Sequence, residues 1–194
     1  MRRGFLKAHL RQEVLNKRDS IHPHDREIKD KLIRQRLLSL SGFHRAKTVL
    51  LYASFRSEVE TISHIEAALS LGKRVVLPVV DRRNKRLNLY EIKAVNELIP
   101  GYMGIPEPSV LEGRAVNIKE IEFIAVPCAG IDERGNRLGY GAGYYDTLLK
   151  DVMADVEVAA LAYEEQVLKE IPHESHDIRV RKIITDKRVI DCRG

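Results

Sequence analysis

The segment RLGYGAGYYD, residues 137–146, has a composition suited to binding phosphate. Gly139, Gly141 and Gly143 occupy alternate positions, and glycine adopts the positive φ angles that turn successive backbone N–H groups toward an anion. We expect a helix to begin at the last of these glycines, and the N-terminus of a helix carries a partial positive charge. The backbone of this segment therefore predicts a cradle for an anion.

Side chains of the same segment supply further parts of such a site. The Arg137 guanidinium can bind phosphate oxygens through parallel hydrogen bonds, and Asp146 can hold Mg²⁺, which prefers oxygen ligands. The pattern matches neither the Walker A loop nor the dinucleotide-binding fingerprint. Two interpretations stay open on these residues alone: a loop that binds the phosphates of a nucleotide, and a tight strand-to-helix connection with Tyr144 and Tyr145 in the core.

Hydrophobic periodicity predicts the elements that must position this segment. Short, almost continuous apolar runs predict strands covered on both faces, and apolar residues at helical spacing predict amphipathic helices. The predicted strands are residues 48–54, 73–80, 86–92, 123–127, 156–163 and 182–186, and the predicted helices are residues 5–18, 24–41, 61–72 and 143–152. Because strands and helices alternate, we expect an α/β three-layer sandwich with a mainly parallel, Rossmann-like sheet flanked by helices. In such sheets ligands bind beyond the carboxyl ends of the strands.

Composition limits the class of protein. The chain has 194 residues, of which 44% are hydrophobic, so we expect a single domain over residues 1–194 with a sizeable core. No apolar run approaches the ~20 residues that span a bilayer, and the first residues lack the apolar stretch of a secretory signal. We therefore expect a cytoplasmic protein with no membrane partner.

The charge balance favours anionic partners. The net charge is +5 and the pI is about 9.2, which suits nucleic acid or small polyanions such as nucleotides. Lysines and arginines are interspersed with acidic residues, however, and no module that binds DNA or RNA is visible. We expect no nucleic-acid partner.

Cysteine and histidine provide weak functional candidates. Cys128 and Cys192 are far apart and lack the spacing of metal ligands, so a zinc site is not expected. Cys128 fits a nucleophile or a small apolar residue after a strand, and the second interpretation is favoured. His173 and His176 lack a neighbouring partner that would require acid–base chemistry, and we expect them at the surface.

Several segments in the same order resemble one known family. The stretch GNRLGYGAGYYD (135–146) closely resembles the signature of the 5-formyltetrahydrofolate cyclo-ligase family, also called methenyltetrahydrofolate synthetase. Further segments resemble other motifs of that family: KAHLR (7–11), SEVET (57–61), GYMGIPEP (101–108) and LAYEEQVLKEIPHESHDIRV (161–180). The chain departs from the family pattern in PCAGID (127–132), which has Ile131 where the family has phenylalanine, and at Thr147, where the family commonly has arginine.

The resemblance implies a reaction: the ATP-dependent conversion of a reduced folate, 5-formyltetrahydrofolate, to 5,10-methenyltetrahydrofolate, with release of ADP and phosphate. It implies ATP and Mg²⁺ as cofactors and, we expect, a monomer. The implied nucleotide-binding residues are Lys7, Arg11, Arg137, Leu138, Gly139, Tyr140, Gly141, Ala142, Gly143, Tyr144 and Tyr145, of which Lys7, Arg11 and Arg137 would be catalytic. The implied metal ligands are Asp146 and Asp177, and the implied substrate contacts are Ala53, Glu58 and Tyr102. Alternatives are another ATP- or phosphate-using enzyme on this fold and a non-catalytic folate-binding protein.

Some of these residues have a plainer interpretation on their own. Lys7 and Arg11 are four residues apart on a predicted helix and share one face. This spacing alone favours a solvated basic face, and the resemblance reverses that preference. Tyr102 fits stacking on a flat ring and core packing equally well. Glu58 follows the strand at 48–54, where a carboxylate can accept hydrogen bonds from the N–H edge of a pterin.

Overall fold

The computed structural model describes residues 2–174 and 177–192, with the side chains of residues 2, 3 and 5 excepted. Its helices are α1 (Arg2–Asp19), α2 (Pro23–Ser39), α3 (Ser41–Arg45), α4 (Ile62–Ser70) and α5 (Tyr144–Leu149). Its strands are β1 (Thr48–Leu50), β2 (Arg74–Asp81), β3 (Arg86–Ile92), β4 (Leu98–Pro100), β5 (Pro106–Pro108), β6 (Phe123–Val126), β7 (Gly130–Asp132), β8 (Arg137–Leu138), β9 (Glu157–Leu161), β10 (Val167–Leu168), β11 (Lys182–Ile184) and β12 (Val189–Asp191).

A seven-stranded sheet forms the centre of the molecule. Its strand order is β12-β11-β9-β6-β1-β2-β3. The five inner strands are parallel, whereas β12 and β3 pair antiparallel at the two edges. This arrangement confirms the predicted α/β fold with a mainly parallel sheet.

Neighbouring residues of β1 show why the inner strands are mainly apolar. Successive side chains of a strand point to opposite faces of the sheet. Val49 packs with α2 and α4, where Ile33 and Ile65 are its buried partners. Leu50 packs on the other face in a cluster that contains Leu149 of α5. Both faces are covered, so the strand has no polar side.

A small three-stranded sheet, in the order β10-β7-β8, carries the glycine segment. The fully buried carboxylate of Asp132 organises the turn that joins β7 to β8, because it accepts hydrogen bonds from the backbone N–H groups of Arg134, Asn136 and Ile171. Gly135 completes the turn with φ +83°, and a Cβ there would collide with the carbonyl oxygen of Val180. The end of β8 is thereby held at a defined place.

Predicted and observed elements differ mainly at their ends, as three examples show. The predicted strand 48–54 ends at Leu50, because Tyr52 and Ser54 bond to a side chain instead of a neighbouring strand: the Thr61 hydroxyl accepts from Ser54 N and donates to Tyr52 O. The predicted helix 143–152 is only Tyr144–Leu149, so its dipole contributes less to anion binding than the sequence suggested. The strand predicted at 182–186 is Lys182–Ile184, and β12 follows it.

Candidate active site

Helix α1 brings two predicted phosphate ligands against distant parts of the chain. Lys7 Nζ lies 2.7 Å from Asp177 Oδ2. Arg11, one turn later, donates from Nε to the carbonyl oxygen of Gly139 at 2.7 Å. The two cations therefore share one face, as their spacing predicts, and that face contacts both the glycine segment and the segment around Asp177 rather than solvent alone.

Arg137 is a buried cation with unused hydrogen-bonding capacity. Its side chain is only 3% exposed, and Nη2 donates to Asp146 Oδ1 at 3.0 Å. Its guanidinium carbon lies 5.5 Å from the ring centroid of Tyr145. Nε and Nη1 are buried without a hydrogen-bond partner among the described residues. Leaving such N–H groups unpaired is costly, and more so on a charged group, so this position is suited to an anionic ligand.

The glycines after Arg137 face open space. Gly139, Gly141 and Gly143 have no atom within 4 Å of the place where a Cβ would stand. Gly141 and Gly143 also have positive φ angles of +100° and +71°. Because internal packing does not require glycine here, the absence of side chains leaves this backbone accessible to a ligand.

The other residues of the segment divide between core and surface. Leu138 is buried at 1% exposed, so only its backbone can serve a ligand. Ala142 is exposed, and Tyr144 is half-buried. Tyr145 packs against the core cluster of α5, which fits the plainer interpretation for that residue. The segment is therefore both a strand-to-helix connection and an open backbone surface.

Glu58 lies beyond β1 within a polar network. Its Oε2 accepts a hydrogen bond from Phe55 N at 2.9 Å, and its carboxylate interacts with the Tyr140 hydroxyl. Burial raises the pKa of Glu58, while the hydrogen bonds from Tyr140 and Phe55 and the charge of Arg18 oppose that rise. The carboxylate therefore stands between the strand end and the glycine segment.

Ala53 and Tyr102 have different settings. Ala53 is 6% exposed and belongs to the core cluster that packs on α2 and α4. Tyr102 is half-buried in the turn Tyr102–Gly104, outside the buried clusters of the described residues, and the Arg82 guanidinium carbon lies 5.0 Å from its ring centroid. A core role therefore explains Ala53 better than Tyr102.

The donor set for a metal ion is small. Within residues 2–174 and 177–192, no three histidine, cysteine, aspartate or glutamate side chains converge as a metal cluster would require. Mg²⁺ that binds with a nucleotide needs only one or two carboxylates, because phosphate oxygens and water supply its other ligands. Asp146, whose side chain is 30% exposed, and Asp177, at 19%, suit that role.

Two weaker candidates are also placed. Cys128 is buried, and burial raises the pKa of its thiol to about 12, so it is a core residue and not a nucleophile. His173 is exposed and lies 3.4 Å from a guanidinium nitrogen of Arg179. His176 lies outside the described residues.

Sequence reasoning did not identify Arg18. This arginine is 4% exposed and donates from Nη1 to the Tyr140 hydroxyl at 2.7 Å and from Nε to Ser57 Oγ at 3.0 Å. A signal was present in the sequence, since Lys7, Arg11 and Arg18 fall on one stripe of α1 at helical spacing. The stripe carries three cations toward the same region.

Comparisons with known proteins show the family to which the chain belongs. A sequence model of the 5-formyltetrahydrofolate cyclo-ligase family matches residues 4–186. A 5-formyltetrahydrofolate cyclo-ligase of Mycolicibacterium smegmatis is 35% identical and covers 95% of each chain, and one of Mus musculus is 28% identical and covers 92% of each. The NMR structure of Aquifex aeolicus 5,10-methenyltetrahydrofolate synthetase superimposes with a TM-score of 0.85 at 35% identity, covering 97% of this chain and 94% of the other.

The glycine segment, the cationic stripe of α1 and the carboxylates near them thus occur on the fold of these relatives. No helix in the described parts of the chain is long and apolar enough to cross a membrane. The match covers nearly all of the sequence and includes each segment on which the resemblance rested. This chain belongs to the 5-formyltetrahydrofolate cyclo-ligase family.

Proposed function

We propose that this protein catalyses the ATP-dependent cyclisation of 5-formyltetrahydrofolate to 5,10-methenyltetrahydrofolate, with release of ADP and phosphate. The observation that carries the proposal is the buried guanidinium of Arg137, which has two nitrogens without a partner in the described structure and directly precedes the open glycine segment. Family membership supplies the reaction class, a ligase acting on a reduced folate.

The chemical obstacle is the formyl group, an amide-like carbonyl whose oxygen is a poor leaving group. ATP supplies the phosphoryl group that makes this oxygen a leaving group. A second folate nitrogen then attacks the formyl carbon and gives up its proton, and the C–O bond breaks to release phosphate. Lys7, Arg11 and Arg137 would neutralise the charge that moves between donor and acceptor, which is the main task in phosphoryl transfer. Asp146 and Asp177 would hold Mg²⁺, which when bound offsets the negative charge of the phosphates.

The folate would lie beside the strand end of β1. Glu58 would accept hydrogen bonds from the pterin N–H edge, and its network with Tyr140 would bring that end of the folate next to the glycine segment. Tyr102 would stack on an aromatic ring of the substrate, because it is outside the core and half-exposed. Ala53 would leave room at the strand end through its small size.

The direct test is absorbance in the methenyl-folate band. Purified protein is mixed with 5-formyltetrahydrofolate and Mg²⁺, with and without ATP, and we expect a rise only with ATP. Lys7→Ala and Asp146→Ala should lower kcat by at least about tenfold, because the first removes a positive charge beside the transferred group and the second removes a ligand of Mg²⁺. Lys17→Ala is the matched control: Lys17 is on the same helix but is 51% exposed and pairs with Glu13.

If the protein is folded and absorbance in the methenyl-folate band does not rise with ATP, the proposal is contradicted. Nucleotide binding without folate binding would then favour another ATP-using enzyme on this fold, and folate binding without turnover would favour a non-catalytic folate-binding protein. The monomeric state and the cytoplasmic location stay predictions, and size-exclusion chromatography with light scattering would test the first.

A further inference from the structure

We propose that Arg18 is a positioning residue of this enzyme: it binds the Tyr140 hydroxyl and Ser57, and so holds the carboxylate of Glu58, the residue after Ser57, against the glycine segment. The proposal rests on the proposed function, because it takes Glu58 as the residue that receives the folate. It assigns to Arg18 a part in folate recognition that acts through other residues, not through contact with the substrate.

The contacts of Arg18 connect three separate parts of the chain. It lies in the last turn of α1 and is 4% exposed. Its guanidinium donates to Tyr140 Oη, 122 positions away in sequence, and to Ser57 Oγ, 39 positions away. Ser57 in turn donates to the carboxylate of Asp19. Arg18 therefore ties the glycine segment to the segment of residues 54–58 that carries Glu58.

The direction of the hydrogen bonds follows from the chemistry of the groups. A guanidinium has donors only, so the Tyr140 oxygen must accept from Arg18. The Tyr140 hydroxyl keeps its own hydrogen for another acceptor, and Glu58 is the carboxylate with which Tyr140 interacts. The Glu58 carboxylate has one further donor at 2.9 Å, the backbone N–H of Phe55. Arg18 therefore holds the Tyr140 oxygen directly and, through Ser57, holds the segment that carries the Glu58 carboxylate.

Tyr140 has the shape that such a connection needs. The residue is 47% exposed, yet its hydroxyl is bound at 2.7 Å by a buried cation. Its ring therefore lies at the surface of the glycine segment while its polar end points inward. Arg18 holds the Tyr140 ring and Glu58 at fixed positions relative to each other. A ligand that contacts both would therefore meet a surface that is already arranged.

Electrostatics gives the connection a second consequence. Burial raises the pKa of Glu58, and the positive charge of Arg18 is one of the opposing influences. Glu58 also interacts with four groups that are uncharged near neutral pH, because burial raises the pKa of each. These groups are Tyr52, Tyr140, Tyr145 and Cys128. Among these groups Arg18 supplies the positive charge, so its loss would raise the pKa of Glu58 further and leave less of the carboxylate form at neutral pH.

The test compares Arg18→Met, which keeps an unbranched side chain but no donors, with Arg18→Lys, which keeps the charge but not the fork. Binding of 5-formyltetrahydrofolate is titrated without ATP, and kcat/KM is measured as a function of pH from neutral pH down through its acid limb. For Arg18→Met we expect at least about tenfold weaker folate binding and an acid limb moved to higher pH. Arg18→Lys should return the acid limb of kcat/KM to its wild-type pH but should still bind folate more weakly than the wild type.

The outcomes separate the alternatives. A lower melting temperature with an unchanged acid limb and unchanged folate affinity would mean a purely structural role and would overturn the proposal. If Arg18→Met does not fold, Tyr140→Phe removes the hydroxyl that Arg18 binds and should move the limb in the same direction; no movement overturns the proposal. Wild-type protein that binds no folate would instead refute the proposed function, and with it this inference. Lys17→Met, the exposed neighbour on α1, should match the wild type.

Discussion

Lys7 and Asp177 stand 170 positions apart in the sequence, yet Nζ of the first lies 2.7 Å from Oδ2 of the second. Arg137 and Asp146 form a second pair of the same kind at 3.0 Å. In each pair a residue expected to bind phosphate neutralises a residue expected to bind metal. A ligand that brings phosphate and Mg²⁺ together can exchange with both pairs, whereas nucleotide without metal would leave both carboxylates facing its phosphates.

This relationship predicts that ATP binding depends on Mg²⁺ through Asp177. We expect the wild type to bind ATP at least about tenfold more tightly with Mg²⁺ than with EDTA. In Asp177→Asn that ratio should fall toward one, because the variant loses a metal ligand and also the charge that repels free ATP. Isothermal titration calorimetry measures both constants. Glu174→Gln is the control: its carboxylate lies 3.9 Å from Lys7 Nζ and is 43% exposed, so its charge matters little. An undiminished ratio in Asp177→Asn would contradict the pairing argument.

Replacing Arg137 should affect the stability of the protein and its affinity for ATP differently. Arg137→Met keeps much of the buried stem but removes a cation with two nitrogens that lack a partner in the described structure. We expect the melting temperature without nucleotide to stay the same or rise by a few degrees, since the variant removes two buried N–H groups that lack a partner among the described residues, and Asp146, whose side chain is 30% exposed, can be solvated instead. The stabilisation that ATP adds to the wild type should disappear. Thermal unfolding with and without Mg²⁺–ATP measures both effects, and a large loss of stability in the nucleotide-free variant would argue that Arg137 is structural.

Substitutions at two glycines should separate the effect of packing on stability from the effect of backbone access on ATP binding. Gly135→Ala should destabilise the protein by more than about 2 kcal/mol, because φ is +83° and the new Cβ would meet the carbonyl oxygen of Val180. Gly139→Ala should unfold like the wild type, since φ there is not positive and no atom lies within 4 Å of the new Cβ. Its affinity for ATP should nevertheless fall severalfold. Urea unfolding and nucleotide titration test the two substitutions, and wild-type affinity in Gly139→Ala would mean that no ligand approaches this backbone.

The fold was largely predictable because its inner strands are buried on both faces. The runs at 73–80 and 86–92 match β2 and β3 within one residue. The small strands β7 and β8 were not predicted, because three and two residues carry no readable period. They depend on the buried carboxylate of Asp132, whose three backbone donors include one from Ile171, 39 positions away. Such a contact is a property of the folded chain and leaves no local pattern.

The candidate site was predictable where chemistry lies in one segment. Arg137 and Asp146 are nine positions apart and pair directly, so their segment alone suggested a phosphate site. Arg18 was missed because its partners, Tyr140 and Ser57, approach it only after the sheet has formed. The pairing of Lys7 with Asp177 was likewise not foreseen: both were assigned to the site, but for different ligands. Residue types indicate what a site can bind, whereas the contacts among its residues before a ligand arrives need the structure.

The buried side chain of His64 should make the stability of the fold sensitive to acid. It lies on α4 and is fully buried, and burial, with a smaller effect from the charge of Arg34, lowers its pKa from 6.5 to about 3. In the unfolded chain His64 binds a proton below about pH 6.5, whereas in the folded chain it binds one only near pH 3. Stability is therefore lost as the pH falls from about 6.5 toward 3. Between pH 7.5 and pH 5 this histidine alone should lower the free energy of unfolding by about 2 kcal/mol.

Urea unfolding of the wild type and of His64→Leu at the two pH values isolates this contribution. Asp30 and Glu58, whose pKa values burial raises, act in the opposite direction, but they are present in both proteins and cancel in the comparison. The variant should lose about 2 kcal/mol less than the wild type on acidification, and His24→Gln, a change at an exposed histidine, should follow the wild type. Equal losses in the wild type and His64→Leu would mean that the folded protein accepts the proton on His64, and that this part of the core opens to water well above pH 3.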